Sequence, residues 1–142
     1  MEYLIRAATL EDKKFITRLY AQARAEVGQF NPYSVWEKHI EGKGTERFII
    51  VPEMAVCFYF FSKKHKCYVL SDIVVHKEHR KKGIGAFIVN YLIKRCRRLK
   101  APLMCKSKIT NENAVFWAKM GFKNIGQTTN ESGELHDVWI IT

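Results

Sequence analysis

The residues best suited to bind an anion lie in one short segment, Arg80 to Ala86. Two glycines, Gly83 and Gly85, stand where a strand is predicted to give way to a helix. The first amide groups of a helix have no partner within it, and the helix dipole adds partial positive charge to them. Glycine leaves these amides open, and the preceding run Arg80-Lys81-Lys82 adds full positive charge. The segment therefore predicts a pyrophosphate site.

This segment lacks the longer patterns of other phosphate-binding loops. There is no Gly-x-x-x-x-Gly-Lys-Ser/Thr loop, and Ile88 stands where a dinucleotide fingerprint requires its third glycine. Two glycines before a helix are also compatible with nothing more than close packing of a helix on a strand. The segment alone leaves the identity of the anion open.

The four cysteines offer no metal site and no redox motif. They are widely spaced, form no Cys-x-x-Cys pair and have no compact cluster of histidines beside them. Each stands in an apolar stretch, which predicts free, buried thiols. The cysteines are Cys57, Cys67, Cys96 and Cys105, and no metal is expected.

Length and composition predict a single globular domain over residues 1–142. Apolar residues make up 47% of the chain, which excludes a disordered polymer. No apolar run is long enough to span a bilayer, and no secretory signal begins the sequence, so we expect a cytoplasmic protein without membrane contact. The net charge of +10 favours anionic partners, whether a nucleotide cofactor, nucleic acid or an acidic surface.

The periodicity of apolar residues predicts the elements that position the glycine-rich segment. One predicted helix opens within Gly83 to Ala86 and repeats apolar residues every three or four positions from Ile84 as far as Leu99. Strands are predicted at 2–7, 47–51, 54–62, 67–75, 103–106, 122–127 and 135–141, and the other helices at 10–27, 33–40 and 111–120. This order indicates an α+β fold: an antiparallel meander, then a right-handed β-α-β crossover with a parallel pair of strands.

Two segments resemble the GNAT family of N-acetyltransferases. The run Asp72 to Ala86 is similar to the family's acetyl-CoA signature, Gln/Arg-x-x-Gly-x-Gly/Ala after a strand that ends in Val. The run Asn111 to Phe122 is similar to the family's Asn- and Ala-containing helix that ends in Phe-Tyr-x-x-x-Gly-Phe, which lines up with Phe116 to Phe122. The predicted order of elements also matches. The resemblance therefore implies a mixed, mostly antiparallel sheet whose two central strands splay apart.

The resemblance also implies roles for individual residues. The backbone of Ile73, Val74 and Val75 would pair with the pantetheine arm of acetyl-CoA or another acyl-CoA. The amides of Lys81, Lys82, Gly83, Ile84, Gly85 and Ala86, beside Arg80, would hold the pyrophosphate, and Asn111 would bond near the cofactor arm. The acyl thioester and an amine acceptor would meet between the splayed strands, and the amine would attack directly.

Acyl transfer to an amine requires a base, because an ammonium group has no lone pair. Asp72 is the candidate, since it directly precedes the stretch that would pair with the cofactor. An outward-facing polar residue on a half-exposed strand is the equally acceptable alternative. The N–H of Val74 or Val75 would stabilise the developing oxyanion.

The family pattern breaks at Trp117, where the family usually has the Tyr that protonates the leaving thiolate. An indole N–H is no useful acid, so Trp117 is expected to pack in the core beside the cofactor site. The thiolate would then leave unaided, or one of four other side chains would serve: Cys105, Ser107, Tyr91 or His136. Cys105 is also a candidate nucleophile that would carry the acyl group.

The acceptor is the least determined feature. The first two helices and the last strands offer Tyr20, Arg24, Glu26, Phe30, Tyr33, Trp36, His39, His136 and Asp137, a mixture that names no substrate. A stretch from Pro102 to Lys106, with the ending Leu135 to Trp139, resembles the phage-type branch that includes the Mom DNA-modification proteins. Adenine in DNA is therefore one alternative acceptor, and a non-catalytic acyl-CoA sensor is another function. A dimer is compatible with the sequence.

Overall fold

The computed structural model describes residues 3–23, 39, 45–130 and 133–142. Within these residues, one sheet has the strand order β1-β2-β3-β4-β5-β7-β6. Its strands are β1 (Arg6–Ala7), β2 (Arg47–Val51), β3 (Ala55–Ser62), β4 (Cys67–Val75), β5 (Leu103–Lys108), β6 (Lys123–Thr129) and β7 (Leu135–Ile141). The helices are α1 (Lys13–Gln22), α2 (Ile84–Arg98) and α3 (Asn111–Lys119).

The sheet is mixed, as the sequence predicts. Strands β4 and β5 are parallel, with Tyr68 opposite Leu103 and Leu70 opposite Cys105. The pairs β1–β2, β2–β3, β5–β7 and β6–β7 are antiparallel. A parallel pair joined through a helix needs a crossover connection, and α2 supplies it between β4 and β5. The α+β class is confirmed.

Two compact units divide the chain. The first comprises residues 1–61 and 71–88, and its described core lies where α1 packs against the meander. Helix α1 buries Ile16, Leu19 and Tyr20 at helical spacing. Phe48 is fully buried and stacks on Phe58 with ring centroids 5.0 Å apart.

The start of α1 follows from a local hydrogen-bond network. Thr9 precedes a single 3-10 turn, Leu10–Asp12, which leads into the helix. The Thr9 N–H donates to Oδ2 of Asp12 at 2.7 Å, and Arg6 donates to the same oxygen at 2.8 Å. The Arg6 hydrogen bond lowers the pKa of the Asp12 carboxyl below its usual range. This arrangement joins β1 to the helix start.

The second unit comprises residues 62–70 and 89–142. It contains the first half of β4, strands β5, β7 and β6, most of α2, and α3. In α2, Leu92 and Cys96 are buried four residues apart, whereas Leu99 lies past the helix and is half exposed. All four cysteines are free and buried, which confirms that prediction.

Some predicted boundaries differ from the observed ones: the first helix, predicted at 10–27, covers Lys13–Gln22 after a 3-10 turn, and residues 24–27 lie outside the described ones. The strands predicted at 47–51, 67–75 and 135–141 have the same bounds in the structure. Strand β1 is shorter than predicted, and β5 runs two residues further because Lys106–Lys108 continue to pair with β7. Of the helix predicted at 33–40, only His39 is among the described residues. That all 142 residues form a single domain stays a prediction.

Replacing Phe48 by Ala is expected to lower the free energy of unfolding by about 3–5 kcal/mol, because a fully buried aromatic ring leaves a cavity that cannot close. Urea denaturation followed by circular dichroism measures the loss. Leu10→Ala is the control, since Leu10 is 66% exposed and should change stability by less than about 0.5 kcal/mol. Equal effects of the two substitutions would contradict the described core.

Candidate active site

The chain leaves β4 through a short, well-bonded connection. The His76 N–H donates to the Met54 carbonyl at 2.7 Å, and the 3-10 turn Lys77–His79 follows. Nδ1 of His76 accepts from the Glu78 N–H at 3.2 Å, and Nε of Arg80 donates to the Val75 carbonyl at 3.2 Å. These bonds hold the glycine-rich segment against the end of β4.

The glycine-rich segment forms the N-terminus of α2. Lys81 and Gly83 have positive φ angles of 62° and 78°, so the chain turns sharply before the helix. The helix begins at Ile84, and the Phe87 N–H donates to the Gly83 carbonyl at 3.0 Å. The amides of Ile84, Gly85 and Ala86 come before that first helical bond. They are donors that a helix leaves unpaired at its start.

The space beside the two glycines is open. A Cβ atom added at Gly83 or Gly85 would meet no heavy atom within 4 Å. The side chains of Arg80, Lys81 and Lys82 are exposed beside this space. Unpaired amides, a helix dipole and three cations around an open cradle suit a di-anionic phosphate group. The described residues therefore fit the pyrophosphate that the sequence predicts.

Tyr3 supports this segment, and sequence reasoning missed it. The Tyr3 hydroxyl donates to the Lys82 carbonyl at 2.9 Å, and its ring packs edge-on against Phe87 with centroids 5.6 Å apart. A partner 79 positions away leaves no signal in residue spacing. The contact fixes the carbonyl next to Gly83, and so helps to orient the amides that follow.

Asp72 is half-buried in β4 and lies next to an aromatic hydroxyl. The Tyr20 hydroxyl donates to Oδ2 of Asp72 at 3.3 Å. Burial raises the pKa of the Asp72 carboxyl to about 6, while hydrogen bonds from Tyr20 and Ser71 partly oppose that rise. A carboxyl group of this pKa is mostly ionised at pH 7 and still accepts a proton readily, as a general base requires.

The groups around Asp72 hold their own protons. Burial raises the pKa of the Tyr20 hydroxyl beyond its usual range, and the nearby Asp72 charge adds to that rise. Cys57, which is fully buried, has its pKa raised well above the ordinary value, chiefly by burial and also by Asp72. Within this cluster, Asp72 is thus the group that changes charge near neutral pH.

The other two catalytic candidates are less favourably placed for chemistry. Cys105 is 1% exposed, and burial raises the pKa of its thiol to about 12, so little thiolate exists at neutral pH. Ser107 makes a long hydrogen bond of 3.5 Å to the Lys108 carbonyl. The burial of Cys105 argues against a nucleophile that carries the acyl group. The role of Ser107 stays a prediction.

Trp117 packs among other aromatic rings. It is 9% exposed and makes edge-on contacts with Phe116 and Phe122, at centroid distances of 4.9 and 5.1 Å. This environment fits the core role expected for it. Asn111 is the first residue of α3, directly after Thr110, whose side chain accepts from the Asn113 N–H at 3.2 Å. Cofactor contacts by Asn111 and Trp117 stay predictions.

Five acceptor candidates lie outside the described residues, namely Arg24, Glu26, Phe30, Tyr33 and Trp36.

The remaining acceptor candidates have local partners. His39 accepts from the Phe48 N–H at Nδ1 and lies 2.7 Å from the Ala8 carbonyl at Nε2, which is a structural role. His136 lies beside Glu134, 3.6 Å from its carboxylate. The buried Asp137 accepts a long hydrogen bond from Gln127 at 3.4 Å.

Two kinds of site are not found in the described part of the chain. No group of three or more histidine, cysteine, aspartate or glutamate side chains could hold a metal ion there. None of the helices described has the length and apolar character needed to cross a membrane.

Comparison with known proteins gives one family. The model of the acetyltransferase (GNAT) family matches residues 14–122. No curated protein matches the chain significantly.

Several solved structures share the fold. A mutant of the spermidine N-acetyltransferase SpeG from Vibrio cholerae has a TM-score of 0.78 at 17% identity, covering 97% of this chain and 94% of that one. The histone acetyltransferase HPA2 and related acetyltransferase from Corynebacterium glutamicum has a TM-score of 0.75 at 16% identity, covering 99% of this chain and 96% of that one. An aminoglycoside 6'-N-acetyltransferase complexed with coenzyme A has a TM-score of 0.73 at 14% identity, covering 98% of this chain and 96% of that one. At such identities the likeness concerns the fold.

The raised pKa of Asp72 predicts how its replacement changes stability with pH. The native carboxyl holds its proton more tightly than the unfolded chain does, because burial disfavours the charged form. Wild-type stability therefore falls as pH rises from about 4, the ordinary value, through about 6. Asn cannot ionise, so Asp72→Asn should gain stability relative to wild type between pH 4.5 and pH 8.

Urea denaturation of both proteins at pH 4.5, 6 and 8 measures this difference in unfolding free energy. Glu53→Gln, which removes an exposed carboxylate, controls for the loss of one charge. A difference between Asp72→Asn and wild type that stays constant across the three pH values would show that Asp72 titrates alike in both states.

Proposed function

The chain belongs to the acetyltransferase (GNAT) family, and we propose that it moves an acetyl group from acetyl-CoA to an amine acceptor with Asp72 as the general base. The open row of amides at the start of α2 carries this proposal. It supplies unpaired donors, helix dipole and exposed cations at one place. When bound, acetyl-CoA would supply the acetyl group already activated as a thioester.

The residues that would hold the pyrophosphate and the pantetheine arm belong to the first unit. The amides from Lys81 to Ala86, with the side chain of Arg80, would bind its pyrophosphate. The backbone of Ile73 to Val75 would bind its pantetheine arm along β4. Tyr3 would keep the Lys82 carbonyl turned away from the phosphate, since its hydroxyl already donates to that carbonyl.

Asp72 would receive the proton that the acceptor nitrogen loses. An alkyl ammonium has a pKa of about 10.4, which lies far above that of Asp72. Asp72 would therefore not create the free amine, and the small neutral fraction of the acceptor would be the form that attacks the thioester carbonyl. Once the N–C bond has formed, the nitrogen is cationic and acidic, and Asp72 would accept its proton as the C–S bond breaks and the coenzyme thiolate leaves. The Tyr20 hydroxyl would hold the carboxylate in position, because its own pKa keeps it protonated.

Coenzyme A as the bound cofactor rests on the resemblance and on the fit of the cradle. The acid that protonates the departing thiolate is not identified by the side chains near Asp72. The splaying of β4 from β5 stays a prediction, as do an acyl chain other than acetyl, a dimer and a cytoplasmic location.

Two alternatives remain distinguishable by experiment. A non-catalytic sensor would bind acetyl-CoA without consuming it in the presence of amines. A nucleic-acid acceptor, including adenine in DNA, is favoured by the excess of basic over acidic residues. Detection of free thiol with polyamines, amino-terminal peptides and oligonucleotides as acceptors separates these three cases.

Gly85→Glu is expected to abolish binding of coenzyme A while the chain still folds. The new carboxylate would enter the open space in front of the amides and repel a diphosphate. At the N-terminus of a helix the same negative charge is favourable for folding. Isothermal titration calorimetry measures the affinity, and thermal denaturation measures the fold.

Asn90→Glu is the matched control for that substitution, since it places the same charge on an exposed site further along α2. Coenzyme affinity should change little in this variant. A Gly85→Glu protein with wild-type affinity would refute the cradle, whatever the acceptor turns out to be.

Asp72→Asn is expected to lower kcat by about 10²–10⁴-fold and to leave the affinity for acetyl-CoA unchanged, because it removes the base and not the cradle. In the wild type, kcat/KM should fall with acid at a pH near 6, the pKa of Asp72. Thiol release with the best amine of the panel, measured from pH 5 to 9, tests both points. Undiminished kcat in Asp72→Asn would remove Asp72 from the mechanism.

A further inference from the structure

The positive charge of this protein is concentrated in one of its two units. Residues 62–70 and 89–142 contain twelve lysines and arginines against four acidic residues, a net charge of +8. Residues 1–61 and 71–88 contain twelve lysines and arginines against ten acidic residues, a net charge of +2. The proposed phosphate-binding segment lies in this unit of low net charge. Cofactor binding therefore does not account for most of the charge.

The lysines before β4 lie next to the chain that enters β5. Lys63, Lys64 and Lys66 form the turn between β3 and β4. The Tyr68 N–H donates to the Pro102 carbonyl at 2.9 Å, which brings the start of β4 beside the start of β5. Lys100 comes two residues before Pro102, so its backbone lies close to that turn.

The same end of the sheet, where these strands start or stop, continues through β7 to β6. Leu103 at the start of β5 pairs with Ile141 at the end of β7, and Lys123 at the start of β6 pairs with Ile140. A groove of about 380 Å³ in this region is lined by residues that include Arg97, Lys123 and Ile140.

We name this end of the sheet the basic end and define it by the exposed lysines and arginines that lie there. Four strands at a spacing of about 4.8 Å make it about 14 Å wide. Its members are Lys63, Lys64, Lys66, Arg97, Arg98, Lys100 and Lys123.

Described acidic residues of this unit lie elsewhere. Glu112 is in the first turn of α3, which follows the far end of β5. Glu134 lies at the turn before β7 and is 3.8 Å from Lys108, also at the far end of β5. Asp137 is buried. Within the described ranges, no side chain of the basic end takes part in an ion pair, so its charge is not neutralised.

Two lysines of the basic end adopt a backbone conformation that favours glycine. Lys66 and Lys100 have positive φ angles of 53° and 56°. Lys100 ends α2 in a Schellman motif, in which the Ala101 N–H donates to the Cys96 carbonyl and the Lys100 N–H to the Arg97 carbonyl. Glycine is the usual residue at this position.

The helix dipole explains only part of this charge. Arg97 and Arg98 lie in the last turn of α2, where cations stabilise the negative end of the helix. Lys63, Lys64 and Lys66 belong to a turn between strands, where no such dipole exists. Solubility depends on net charge and does not require positively charged residues to cluster at one end of the sheet.

We propose that the basic end binds the phosphate backbone of double-stranded nucleic acid. A duplex carries a closely spaced row of negative charge, and neutralising it with lysines and arginines releases counterions. Proteins that bind single strands also stack bases on aromatic rings. Among the residues that the structure describes, the groove at the basic end is lined by the apolar side chains of Met120, Ile140 and Ile141 and by no aromatic ring. The duplex is therefore the better fit.

The test uses the full chain and a fluorescein-labelled 30-base-pair DNA duplex, with affinity measured by fluorescence anisotropy between 50 and 300 mM NaCl. The wild type should bind with a log-affinity that falls linearly with log salt concentration. The double variant Lys66→Gly, Lys100→Gly should bind more weakly, with a slope reduced by about 1.8, which is the loss of two phosphate contacts. Its melting temperature should stay at or above that of the wild type, because glycine suits both backbone positions.

The matched control is Lys14→Gln, Arg18→Gln, which removes the same charge from exposed positions on α1. It should keep the wild-type slope. An equal loss in this control would overturn the proposal, since net charge alone would then explain binding. So would stronger binding to poly-glutamate than to the duplex, or the absence of salt-dependent duplex binding. None of these outcomes depends on acetyl transfer.

Discussion

The unpaired amides at the start of α2 are the constraint on which the rest of the candidate site depends. A helix cannot satisfy its first N–H groups from within, so they need an outside acceptor. In this chain Gly83 and Gly85 stand at that helix start in open space, since a Cβ added at either would meet no heavy atom within 4 Å. Arg80 and Tyr3 then hold the segment from two sides, through the carbonyls of Val75 and Lys82.

Asp72 shows how packing changes the chemistry of an ordinary side chain. Burial disfavours its charged form, while the Tyr20 hydroxyl favours it, and burial has the larger effect. The outcome is a carboxyl group that titrates near neutral pH, beside a tyrosine and a cysteine that remain protonated. Because α1 supplies Tyr20, the helix that completes the hydrophobic core also sets the properties of the proposed base.

Charge serves two different purposes in the two units. In the first, a few cations stand next to oriented amides, an arrangement that suits one compact anion. In the second, the basic end spreads seven cations along an edge without an ion-pair partner among the described residues, which suits an extended anion. The total of +10 does not distinguish these arrangements, because it contains no information about position.

Local patterns in the sequence determined most of the strands and the opening of α2 at the glycine-rich segment, since apolar periodicity and glycine placement act over a few neighbouring residues. The support of Lys82 by Tyr3, the bond from Tyr20 to Asp72 and the burial of Cys105 were decided only by the tertiary structure. Each joins or buries residues that are distant in the chain, and a pKa depends on those surroundings more than on residue type. The basic end is of the same kind, because strand pairing brings together lysines and arginines from three separate segments.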